Sequence, residues 1–224
     1  MTNWTEQEIE AHANELPSYV PPLPGISEIS QDPRLFDEQP AAGRYGAKAK
    51  AAIVSGTAAA MVAAMVAFLG MGERPANHNA VTVEYNAKIA RIGDGPWCDM
   101  GVSVAAIHSG NIDAVCGGLG RGFAFTPAHA ADFKHRGLWD YGADDLQPGD
   151  VVFFSWSRGK SIDDIEHVGI VEHVYADGSF TTIECNIGDK CRREHRDATY
   201  VVGRGRPPYA GADDVAMVVS LGVG

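Results

Sequence analysis

The stretch GDGPWCDMGVSVAAIHSGN, Gly93 to Asn111, sets a cysteine where a nucleophile would stand. Gly95-Pro96 makes a turn, Trp97 follows, and Cys98 opens a predicted helix. A helix start presents unpaired N–H groups and a partial positive charge, which favour a thiolate, and the thiolate is the attacking form of cysteine. Trp97 can wall such a site. Asp99 opposes ionisation of the thiol unless it points away from the sulfur. A lone cysteine at a helix start is more often structural, so the chemistry needs a base supplied from elsewhere in the chain.

The second half supplies one. IEHVGIVEHVYADGSFTTIECNIGD reads as two strands around Asp177-Gly178, a short-hairpin signal. A two-residue loop would place Val171 opposite Glu184 and Gly169 opposite Asn186. Side chains alternate along a strand, so His167, Gly169, Val171, Glu184 and Asn186 share one face. A histidine with a carboxylate and an amide on one surface is what a base and its orienting partner require. In this register Asn186 stands roughly 7 Å along the strands from His167 and Glu184 roughly 13 Å. Which of the two orients His167 stays open.

The elements that must hold these residues divide the chain into three regions. Residues 1–50 carry a short helix with a Thr5/Glu8 capping box, then a proline-rich arm. Residues 51–210 form the compact domain, and 211–224 a tail. Helices are predicted over 57–70, about 81–92 and 98–108. A loop-rich middle with Cys116 on a flexible rim follows, then strands in DVVFFSW, HVGIVEHVY, SFTTIECN and TYVVGRGR. Helices followed by a strand meander make an α+β arrangement, with the helices packed on an antiparallel sheet.

Composition narrows the partners. The net charge of −11, from 29 acidic and 18 basic residues, argues against nucleic acid or anionic lipid. The acidic N-terminus has no secretory h-region. Ala51 to Gly70 is uncharged and long enough for a bilayer, but its alanine-rich make-up and the Met61, Val62, Met65, Val66 and Leu69 stripe favour a core helix over a stable membrane span. Cys185, Cys191 and His195 echo a zinc site only faintly.

PWCDMGVSV, LQPGDVVFF, EHVGIVEHV and TIECNIG, in that order, resemble the CHAP family of cysteine, histidine-dependent amidohydrolases/peptidases. The resemblance covers about Thr57 to Gly205. It implies a papain-like fold and a peptidoglycan hydrolase, either an N-acetylmuramoyl-L-alanine amidase or an endopeptidase, with no cofactor and no metal. Matched by position, Cys98 resembles the nucleophile, His167 the general base, Glu184 the orienting group and Asn186 its polar companion. Trp97 and Asp99 beside the thiol are the expected substrate contacts. Gly101 and Val104 stand where relatives usually carry aromatics, implying a more open wall.

Such domains are frequent in phage lysins. The expected partners are bacterial peptidoglycan and, through residues 1–50, phage tail or virion proteins. The expected location is the host cytoplasm before release to the wall, or the virion. The alternative expectation is a tail component whose CHAP domain is weak or inactive.

Overall fold

The structure, a computed structural model, describes residues 55–118 and 121–211. The expectations for residues 1–50, for Ala51 to Val54 and for the tail past Gly211 lie outside the described residues. Five α-helices lead the described chain: α1 (Ala58–Val66), α2 (Ala80–Lys88), α3 (Cys98–His108), α4 (Ile112–Cys116) and α5 (Thr126–His135). Six strands follow: β1 (Trp139–Tyr141), β2 (Val151–Phe154), β3 (His167–Val174), β4 (Phe180–Ile187), β5 (Lys190–Arg196) and β6 (Val201–Gly205). They form one antiparallel sheet in the order β1-β6-β2-β3-β4-β5, an α+β architecture. β2 through β5 run as a meander, and β6 returns to pair with β2.

Alternation along the strands gives the sheet two apolar faces. Val151, Phe153, Val168, Ile170, Ile183 and Cys185 pack with the helices in the main core. Val152, Phe154, Val171, Phe180 and Val201 form a smaller cluster with the other parity.

The described part of the bilayer-length segment, Ser55 to Gly70, holds a short core helix. Thr57 caps α1 by accepting from the Ala60 N–H at 3.2 Å, and Met61 and Met65 are fully buried. α1 ends at Val66, earlier than its apolar stripe suggests, and Val66 is exposed. Among the described residues no helix is long and apolar enough to cross a membrane.

The loop-rich middle is more ordered than its composition suggests. α5 begins on Thr126-Pro127, with proline where its missing N–H costs nothing. Cys116 is not on a flexible rim: it ends α4, fully buried, 3.8 Å from Ser103 Oγ.

α3 is buried from Cys98 through Ala106. Small residues make that possible, because the sheet approaches the helix closely. A Cβ on Gly101 would lie 2.6 Å from Cys185 Sγ and 2.9 Å from Cys185 Cβ. Gly101 therefore does not open the wall of the site; its missing side chain is filled by β4, and Val104 is buried in the core. Gly101→Ala should gain about 1 kcal/mol in helix propensity and lose about 1–3 kcal/mol to overpacking. The expected net result is a lower Tm by thermal unfolding, partly restored by Cys185→Ala. A raised Tm for Gly101→Ala alone would contradict the close approach.

Candidate active site

Cys98 is the first residue of α3, which packs against both β3 and β4. The residue is buried, 7 % exposed. Burial pushes the thiol up to about 12, and the negative charges of Asp99 and, more weakly, Glu184 add to that; the backbone N–H groups of Asp99 and Cys98 pull the other way. The helix start thus works as expected, but burial outweighs it. The uncomplexed thiol is protonated at neutral pH and needs a base to act.

Trp97 and Asp99, expected as substrate contacts, present no exposed surface beside the thiol. Both are fully buried. The Trp97 indole Nε1 donates to Glu73 Oε2 at 2.6 Å. Asp99 turns into the core, where Oδ1 meets His129 Nδ1 at 2.7 Å. His129 lies between Phe123 and Phe133, with ring centroids 4.3 and 5.0 Å away, and is fully buried. Asp99 Oδ2 has no hydrogen-bond partner among the described residues. Asp99 points away from the site, yet its charge still opposes ionisation of Cys98.

His167 opens β3 and Glu184 lies on β4, and the hairpin register brings them together. The loop has three residues rather than two: Tyr175 N–H donates to Ser179 O at 2.8 Å, with Gly178 in the left-handed region at φ +83. A bulge between Val171 and His173 shifts the pairing by one more residue. Val171 therefore pairs with Thr182 and Ile170 with Ile183, not Val171 with Glu184. Continued by one residue, that ladder sets Glu184 opposite Gly169. A Cβ there would come within 2.6 Å of Glu184 Cγ, so a glycine makes room for the carboxylate.

His167 Nε2 and Glu184 Oε2 stand 2.9 Å apart. With Nε2–H given to the carboxylate, Nδ1 is the nitrogen left to take a proton. No hydrogen bond joins the Cys98 thiol to His167 among those of the described residues. Thiol–imidazole contacts are often long in an uncomplexed site and tighten with substrate.

Asn186 is placed differently. The β4–β5 ladder is irregular between Glu184 and Ile187, and Asn186 has a φ of +60, a conformation asparagine tolerates better than most residues. That break interrupts the alternation that would have set Asn186 beside Glu184. No hydrogen bond ties it to His167 among the described residues.

Three residues beside the pair escaped the sequence analysis. Arg196 on β5 donates from Nε to Glu184 Oε1 at 2.9 Å and from Nη2 to Oε2 at 2.8 Å, and Thr182 Oγ1 donates to Oε1. Burial alone would raise the Glu184 carboxyl. The bonds from Arg196, His167 and Thr182 outweigh that and hold it at about 2. Trp156, 39 % exposed, has its ring centroid 5.5 Å from that of His167. Its backbone N–H donates to Glu166 at 2.7 Å, so Glu166 anchors the loop that carries the indole.

The signal for Arg196 lay in KCRREHR, whose charge hides an edge strand. Cys185 and Cys191 meet across that strand pair at 3.2 Å, both buried, whereas His195 is exposed. Among the described residues no three side chains of metal-ligating type gather at one point.

Helices packed on one six-stranded antiparallel sheet, with Cys98 at the start of the helix that meets β3 and β4, are the α+β arrangement of a papain-like fold. Residues 90–186 match the family model of the CHAP domain, and the match spans Cys98, His167, Glu184 and Asn186. That stretch is similar to the CHAP domain, and the similarity supports a hydrolase acting on peptidoglycan. No curated protein matches the chain, and no solved structure does.

Proposed function

We propose that this protein cleaves an amide bond of the bacterial wall peptide by acyl transfer through Cys98. His167 Nδ1 takes the Cys98 proton as the sulfur attacks the amide carbonyl and a carbon–sulfur bond forms. Backbone N–H groups at the start of α3 stabilise the resulting oxyanion. The carbon–nitrogen bond then breaks, and the amine leaves with the proton held on His167. Water, deprotonated by the same nitrogen, attacks the thioester. The acid departs, and the proton returns to the thiol.

Glu184 holds the imidazole with Nε2–H toward itself throughout. Its carboxyl titrates so low that it stays ionised and accepts hydrogen bonds rather than taking the proton. The observation that carries this reading is the 2.9 Å His167–Glu184 pair with Nδ1 left over, on a sheet packed against the helix that Cys98 opens.

Purified walls digested with the protein test the reading. The expected products are new amino termini at a single kind of amide, resolved by mass analysis of the released ends. New termini on alanine with free muramic acid identify an amidase. New termini within the stem or bridge identify an endopeptidase. Release of reducing sugar ends without new amino termini would rule out the proposal.

A further inference from the structure

Four contacts close a ring around the base. The Arg196 guanidinium binds Glu184 at two points, 2.9 and 2.8 Å. Glu184 meets His167 at 2.9 Å. The His167 ring lies 5.5 Å from that of Trp156, and the Trp156 ring carries the Arg196 guanidinium at 5.2 Å. Arg196 also lies over Phe154 at 5.5 Å, and its side chain is only 19 % exposed. It therefore reaches His167 by two routes, through the carboxylate and through the indole.

We propose that Arg196 is a positioning residue that sets how basic His167 is: its two-point clamp fixes Glu184 and neutralises part of its charge, so the imidazole gains an orienting acceptor without being held protonated. This rests on the reading of His167 as the general base.

The physical case is a balance of charges. A buried carboxylate alone beside a histidine stabilises the imidazolium, and a base kept protonated at neutral pH cannot accept a proton. A guanidinium on the far side of the same carboxylate works against that stabilisation. Arginine suits the place better than lysine, because its planar fork matches both carboxylate oxygens and its face packs on aromatic rings.

The other groups around His167 do not supply the same balance. Cys98 on α3 is a neutral thiol in the uncomplexed protein. Glu166, next in the chain, is engaged with the Trp156 and Ser157 N–H groups. Phe154 and Trp156, from β2 and the loop after it, carry no charge. Thr182 gives Glu184 a hydrogen bond but no charge. Glu194 stands 4.0 Å from Arg196 and offsets part of its charge.

The test pairs R196Q and R196K with the wild type. It follows kcat/KM on soluble wall fragments against pH, and titrates His167 by NMR with carbon-labelled histidine. R196Q removes the charge, leaving Glu184 free to stabilise the imidazolium. The acid limb of the profile and the His167 titration should both rise, by roughly one unit. Hydrolysis about one unit below the wild-type limb should then fall about tenfold further than on the plateau. R196K keeps the charge without the two-point clamp, so kcat should drop several-fold while the limb stays within about 0.3 unit of wild type.

A folded R196Q with a lowered plateau but an unmoved limb and titration would overturn the proposal, leaving Arg196 a structural ion pair. If R196Q does not fold, R196K decides alone: a limb displaced by a full unit, or an unchanged kcat, overturns it. Should the wild type hydrolyse no wall, the hydrolase reading fails separately, and the His167 titration still decides the coupling.

Discussion

Cys98→Ser should abolish wall hydrolysis, by a thousandfold or more on the order of other single nucleophile losses, while leaving the fold in place. Serine is close in size to cysteine, and Cys98 is buried. Little repacking is needed, so the Tm should stay within about 3 °C of wild type. The loss is chemical. The Cys98 thiol already stands at about 12 because of burial and two nearby carboxylates, and a hydroxyl in the same place is less acidic still. His167 would have to remove a proton from an oxygen that the surroundings hold more tightly, with a poorer nucleophile as the result. The measurement is release of new amino termini from purified walls, beside a thermal melt. Near-normal activity in Cys98→Ser, with loss on changing Cys116, Cys185 or Cys191 instead, would move the nucleophile elsewhere.

How much of this was legible in the sequence differs from element to element. α3 runs from Cys98 to His108 as its pattern predicts, because a Gly-Pro turn and a run of small apolar residues both mark its start. The strands β2, β3, β4 and β6 were visible as β-branched and aromatic runs. β5 was not, since in KCRREHR only Cys191 is buried and the rest is charged or polar.

That one omission hid Arg196, and with it the clamp on Glu184. Spacing could have shown it. Once NIGD is taken as a turn, Arg192, Glu194 and Arg196 fall opposite Glu184, Thr182 and Phe180 on the same face. The hairpin register failed for a different reason. A three-residue loop and a bulge each move the pairing by one residue, and neither leaves a mark in the apolar alternation. Because the two shifts together make an even number, His167 and Glu184 still share a face, but lie closer than a two-residue loop would place them. Trp97 and Asp99 misled because proximity in sequence to a nucleophile does not give direction. On a helix buried all round, the neighbours of Cys98 point into the core.

The register also ranks the partners of the base. His167→Ala should cost at least about a hundredfold in rate, the low end for removing a general base. Glu184→Gln should come close to that figure, while Asn186→Ala should cost clearly less. Glu184 is fully buried and its carboxylate receives His167, Thr182 and two bonds from Arg196. A glutamine offers one acceptor oxygen where four donors converge, and its amide N–H groups would face donors. The imidazole then loses the acceptor that sets its tautomer, and Arg196 loses a partner while only 19 % exposed. A lower Tm should therefore accompany the lost rate in Glu184→Gln. Asn186 has no such bond to His167 and sits in an irregular turn of the ladder, so its removal disturbs local backbone rather than the base. Rate assays and melts on the three variants check the order. An Asn186→Ala loss as large as that of His167→Ala, with Glu184→Gln near wild type, would return the orienting role to Asn186 and detach Glu184 from the chemistry.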